Sequence, residues 1–349
     1  MIQSPFGSTQ VLGDAFAAGL ERQLEDGGLG AFILVVANAT FEAGLWERMR
    51  DRLRRAHERH AQRIRSRLRA GEQLIDAQDD QLVFLKLVAM ELDALGPTQY
   101  RYPDGWELQH NLMRGLRPQR FASEVADGIR TPFDPHCFNF TLAFLDRELL
   151  WQGEMNGHSV RFYYNKFPFV RRHLLMVPHA DTCRPQYLTR EMLFYAWRLL
   201  DGFGDRLDGA GIGYNSYGAF ASINHLHFQL FERPEPLPVE SARWRHNGGA
   251  EAYPAPCIVA DSAAAAWELV RDLHDRSQAY NLLLRPGRLY ALPRRLQGSY
   301  TASDWAPGHA WYEMAGGAVI SRRLVFERTG APQLVAELSR VGAEPAGAG

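Results

Sequence analysis

Cysteine is scarce in this chain. Its 349 residues contain three, Cys137, Cys183 and Cys257, odd in number and far apart. They form neither a disulfide framework nor a CxxC zinc pair, so a reducing cytoplasm is the expected setting. Long apolar runs are also missing, and the longest fall well short of a bilayer span, which argues against a membrane partner. Residues 1–20 lack both a basic leader and an apolar core, so no secretory leader is expected. There is no charge excess either. The formal net charge is −1, which argues against nucleic acid or an anionic membrane as a partner. Lysine is nearly absent: of 39 basic residues only Lys86 and Lys166 are not arginine, which singles out those two. What remains, 46% hydrophobic and 23% charged, is an ordinary globular composition, enough for one large domain or two modest ones.

Apolar spacing predicts helices over residues 10–26, 42–70 and 81–95, the second rich in arginine, and a loop over 96–108. His57 and His60 stand at i, i+3 on the basic helix and read as part of a solvated face rather than a metal pair. From about residue 130 the texture becomes β-rich, with strands predicted at "CFNFTLAF", "LLWQGEM", "SVRFYYNKF" and "HLLMVP". A helix at 189–206 follows, with Thr189 as its N-cap. After "INHLHFQLFE" come a strand at "PCIVAD", a helix at 262–277, strands at "YNLLLRPGRLYALPRR" and "GGAVISRRLVF", and a helix at 332–341. Strand–strand–helix–strand thus occurs twice, which predicts two related halves.

The chemistry concentrates in "YNSYGAFASINHLHFQLF", residues 214–231. On a strand, alternate side chains share a face, so His225, His227 and Gln229 are expected to point one way. Glutamine is a poor metal ligand, and no metal or cofactor is expected. The alternative is nucleophilic: a neutral imidazole attacks phosphorus and holds it as a phosphoramidate while nearby donors take up the charge. Asn215, Ser216, Gly218 and Ser222, just upstream, offer amide, hydroxyl and backbone donors, and the glycine allows close approach of a phosphate.

HLHFQ after a small-polar turn resembles the active-site strand of the histidine-triad superfamily, in the transferase and phosphorylase branches that carry glutamine in place of the last histidine. "GYNSYGAFASINHLHFQ", "TPFDPHCFNFT" and "PLPVE" resemble the GDP-L-galactose and GDP-hexose phosphorylases, with the likeness spanning about residues 105–330. The resemblance implies an α+β fold: two histidine-triad-like antiparallel sheet and helix halves with an N-terminal helical extension. The boundaries expected are 1–104 for the extension, 105–245 for the catalytic half, 246–341 for the second half and 342–349 for a disordered tail. It also implies His227 as nucleophile, His225 as orienter of the phosphate or of the local hydrogen bonds, and Gln229 as amide donor to a phosphate oxygen. Asn165 falls at the ribose-binding position, Lys166 beside it is assigned to phosphate or sugar, and Asn139 is placed near the base. His309 and Glu313 in "HAWYEM" have no assigned role. The partners implied are a nucleotide sugar and inorganic phosphate, in a monomer or homodimer with one active site per chain. Diadenosine tetraphosphate phosphorolysis and hexose-1-phosphate uridylyl transfer are the alternatives within this chemistry. A nucleotide- or RNA-binding protein using Arg48–Arg69 is the alternative outside it.

Overall fold

A computed structural model of the chain describes residues 4–118, 126–306 and 308–343. The main sheet is assembled from β3 (Leu149–Met155), β4 (His158–Tyr164), β5 (Leu174–Pro178), β6 (Ala210–Asn215), β7 (Phe228–Glu232), β8 (Ile258–Ala260), β9 (Tyr280–Arg285) and β10 (Arg288–Pro293). These run in the order β3-β4-β5-β7-β6-β9-β10-β8, every neighbour antiparallel. The two expected halves meet at β6–β9, so one continuous sheet crosses them. The fold is α+β, as expected.

Strand alternation decides which layer each residue joins. Leu282 and Leu284 enter the core under the helices, while Leu283 between them enters the core on the opposite face. The first face is covered by α1 (Thr9–Asp26), α6 (Arg190–Gly204) and α7 (Ala263–Asp275). Thr189 and Ser262 cap α6 and α7, each side chain accepting a first-turn amide. The opposite face is covered by a small sheet and by α8 (Trp311–Met314), α9 (Arg323–Arg328) and α10 (Ala331–Val341).

That small sheet corrects the sequence reading. Residues 96–108 hold β1 (Gln99–Arg101) and the start of β2 (Glu107–His110), and "GGAVI" forms β11 (Gly317–Ile320), parallel to β2 rather than part of the main sheet. The expected boundary at 104 therefore falls between two paired strands. "CFNFTLAF" forms turns and a 3-10 segment instead of a strand, and the strand of "INHLHFQLFE" begins only at Phe228. Of the expected tail, 344–349 lies outside the described residues, while Gly342 is bridged to Arg294.

The N-terminal helices are α1, α2 (Leu29–Ala39), α3 (Ala43–Arg69) and α4 (Gln78–Met90). The sequence reading passed over α2, which is apolar on nearly every side and almost wholly buried. His57 and His60 pack against Phe32 and Phe84 on the inner side of α3, not on a solvated face. Much of the arginine face is met by acids: Arg52 by Glu21, Arg54 by Asp93, and Arg63 by Asp76. Among the described residues no helix is long and apolar enough to cross a membrane.

Candidate active site

β6 and β7 pair from Ala210–Glu232 to Gly213–Gln229, and the chain between them forms the loop that carries the histidines. Gln186, ahead of α6, braces this loop. Its Oε1 accepts the His227 amide at 2.9 Å, and its Nε2 donates to the carbonyls of Asn215 (2.8 Å) and His227 (3.1 Å). His227 Nδ1 lies 2.8 Å from the His225 carbonyl, so it carries the proton and leaves the Nε2 lone pair free. The ring lines a cavity of about 220 Å³. Burial holds this imidazole down to about 4, against a weaker upward pull from the His225 carbonyl, so it is neutral at ordinary pH.

His225 points elsewhere. Its Nδ1 accepts the Phe140 amide at 3.1 Å and it makes a backbone hydrogen bond to Ala180, so both ring nitrogens are engaged. It does not line the cavity. Of its two expected roles, the geometry leaves the ordering of local hydrogen bonds.

Gln229 does line the cavity, and its amide has a defined orientation. Oε1 accepts from Trp311 Nε1 at 2.7 Å and from His173 Nε2 at 2.9 Å. An indole N–H can only donate, so the acceptor end of the amide must face it and the NH₂ lies at the other end. Burial lowers His173 to about 3 and keeps it neutral. Asn215 repeats the device: its Oδ1 accepts the Trp311 backbone amide (2.8 Å) and Asn281 Nδ2 (2.7 Å). Trp311 thus holds both amide oxygens from behind. It lies flat on Phe231 at 4.8 Å and 13°, and against β6 at Gly213, where a Cβ would stand 2.3 Å from the indole.

Other expected residues divide. Ser222, Asn165 and Lys166 line the cavity. Asn165 Oδ1 accepts the Phe167 amide at 3.0 Å, and Lys166 Nζ is paired with Asp80 of α4 at 2.6 Å. Asn38 of α2 donates to the Asn165 carbonyl at 2.9 Å, so the N-terminal helices brace this turn. Ser216, Gly218 and Asn139 do not reach the cavity. The Ser216 hydroxyl ties the end of β6 to the Tyr280 amide at 3.1 Å. Gly218 has φ +76° and packs on Leu296, supplying a backbone conformation rather than a donor. Asn139 spends its amide on Pro135, Cys137 and Thr141 within its own turn. Phe138 and Phe144, 43% and 55% exposed, instead border the cavity at its apolar end.

His309 is buried, and Glu313 caps its own short helix by accepting the Ala310 amide at 2.9 Å. Sequence reasoning missed Gln186, His173 and Trp311, although the last two lie inside quoted blocks. It also missed Arg114 and Arg117, which line the same cavity. One group of three potential metal ligands occurs among the described residues, His158, His179 and Glu191, with His158 Nδ1 2.8 Å from His179 Nε2. None of the three lines the cavity.

The fold has a solved counterpart. The yeast Ap4A phosphorylase Apa2 superposes with a TM-score of 0.51 at 17% identity, covering 78% of this chain and 97% of that one. Residues 103–231 match the family described as GDPGP1-like, N-terminal domain. GDP-L-galactose phosphorylase 2 of Arabidopsis thaliana is 26% identical over 270 residues, 64% of this chain and 61% of its own length. GDP-D-glucose phosphorylase 1 of Danio rerio is 34% identical over 144 residues, 40% of this chain and 39% of its own. The chain is thus similar in sequence to GDP-L-galactose and GDP-D-glucose phosphorylases, and its matches span about two fifths to three fifths of those relatives.

Proposed function

We propose that this chain transfers a nucleotidyl group through a covalent histidine, taking a nucleoside diphosphate hexose, foremost a GDP-hexose, as donor and inorganic phosphate as acceptor. The observation that carries the reading is the state of His227: Nδ1–H held by a carbonyl, Nε2 facing a cavity, and a ring that burial keeps neutral. In the first step Nε2 attacks the α-phosphorus. An N–P bond forms while the bond to the bridging oxygen breaks, and hexose 1-phosphate leaves with that oxygen and its electron pair. The NH₂ groups of Asn215 and Gln229, set by Trp311, meet the charge on the non-bridging oxygens. In the second step a phosphate oxygen attacks the same phosphorus, the N–P bond breaks, and nucleoside diphosphate departs. An amide at position 229 passes no proton, so it gives water no help in reaching the adduct. Asn165, Lys166 and Ser222 line the cavity, which supports assigning them to ribose and phosphate, and the presence of Phe138 and Phe144 in its wall supports a base stacked there. The scheme requires no metal, and three cysteines, odd in number and far apart in the sequence, suit a reducing cytoplasm.

Incubation with GDP-glucose and no phosphate should add the mass of one GMP to the protein, as an acid-labile, base-stable adduct on His227. Phosphate should then release GDP. UDP-glucose and diadenosine tetraphosphate, tested in parallel, assign the donor. An adduct on serine, or none with a donor that turns over, would refute the covalent route.

Trp311→Phe keeps the backbone amide that holds Asn215 but removes the indole N–H from Gln229. Turnover is expected to fall tenfold or more with donor KM nearly unchanged, while the lost packing costs about 1–3 kcal/mol in a urea melt. Wild-type kcat in this variant would show that the amide needs no orienting.

A further inference from the structure

The cavity at His227 shares part of its wall with a second, of about 440 Å³, lined largely by the second half of the chain. Both are lined by Arg114, Arg117, Phe220 and Ser222. Arg114 lies on α5 (Leu112–Leu116), whose N-cap Asn111 accepts the Arg114 amide at 3.1 Å, and Arg117 follows its end. Arg114 Nη1 donates to the Phe167 carbonyl at 3.0 Å, and its guanidinium sits 4.9 Å from the centre of the Phe169 ring. Among the described residues neither of these half-buried arginines is ion-paired with a carboxylate, unlike Arg172, Arg233 and Arg285, although the fully buried Arg294 also lacks one.

Burial pulls the Arg114 guanidinium down to about 9, with Arg117 adding to the effect, and burial lowers Arg117 as well. A guanidinium does not give up its proton in a protein, so two neighbouring cations that line one cavity make it a favourable place for an anion. Among the described residues Glu313 is the one carboxylate whose charge acts on both arginines, and it is only a partial counterweight; Glu148, also in the wall, feels Lys166 instead. Glu313 is engaged with the Ala310 amide, and burial pushes its carboxyl up; Asp304 is exposed.

Displacement at phosphorus runs in line. The leaving group departs on the side opposite His227 Nε2, and the acceptor must enter from that same side. One anion site therefore has to serve both.

We propose that Arg114 and Arg117 form that site. They bind the phosphate monoester that leaves as hexose 1-phosphate and then the inorganic phosphate that replaces it, with the hexose in the larger cavity beside Trp305 and Ser321. The inference rests on the nucleotidyl-transfer reading of His227. Its chemistry follows from the planar fork of arginine, which grips two phosphate oxygens at once.

Arg117→Gln is the cleaner variant, because Arg114 also supports the Phe167 carbonyl. Glucose 1-phosphate and inorganic phosphate should each bind wild-type protein by calorimetry and compete with each other. Arg117→Gln and Arg114→Gln should each weaken both ligands and raise phosphate KM by tenfold or more, and Arg117→Lys should recover part of the loss. Wild-type phosphate KM and wild-type glucose 1-phosphate affinity in Arg117→Gln would overturn the site, even with the His227 adduct intact. Absence of the adduct in wild type, with anion binding still lost in the arginine variants, would overturn the His227 reading and leave the anion site standing.

Discussion

His227→Asn should lose at least about three orders of magnitude in turnover while remaining folded. The substitution is close in size and retains an amide N–H that can reach the His225 carbonyl, so the loop keeps its hydrogen bond. What disappears is the lone pair at Nε2. Among the described residues no other side chain on the cavity wall offers an equivalent: Lys166 is paired with Asp80, and His173, which does not line the cavity, is bonded to Gln229. The GMP adduct should vanish with turnover, in amounts measured by intact mass. Circular dichroism and the urea midpoint serve as controls for folding. A variant that keeps more than a tenth of wild-type activity would remove His227 from the chemistry.

Acid should destabilise the protein well before its carboxylates titrate. His173, His227 and His309 are almost wholly buried, and burial is the first cause that holds them to about 3, 4 and 3. In the unfolded chain they take up protons near the ordinary value of 6.5. As pH falls below about 6.5 the unfolded state binds protons that the folded state refuses, so stability falls with pH until the folded values are reached. At pH 5 each of the three costs roughly 2 kcal/mol, about 6 in all, against a typical total of about 5–15 kcal/mol. His60, His225 and His274, each lowered to about 4 by burial, act in the same direction. Urea denaturation at pH 7 and pH 5 checks this. An unchanged midpoint would mean that these rings are solvated or already charged in the native state.

The histidine motif was legible because its chemistry and its alternation sit within five consecutive residues. So were α6, with Thr189 at its start, and the β9–β10 hairpin, since each is encoded by local spacing. The small sheet was not, because β2 takes a parallel partner more than two hundred residues away and its own three-residue neighbour carries no period. α2 escaped because apolar residues on every side leave no amphipathic stripe to detect. At the site, Ser216, Gly218 and Asn139 looked like donors by type, but their polar or backbone groups are used to shape turns. Trp311, His173 and Gln186 act on the motif only across strands, and nothing in their own neighbourhoods marks them. Arg114 and Arg117 were hidden by a different feature: arginine is the default cation throughout this chain, so two unpaired ones do not stand out.

Trp311 connects two donors through one residue, its indole reaching Gln229 and its backbone reaching Asn215, and Gly213 leaves it the space. These four positions therefore constrain one another's substitution. A methyl group at 213 displaces the ring, a smaller ring at 311 frees an amide, and an apolar residue at 215 or 229 leaves a buried donor with nothing to hold. Each single step is harmful until another has been taken, so substitutions at these positions should be tolerated only in combination.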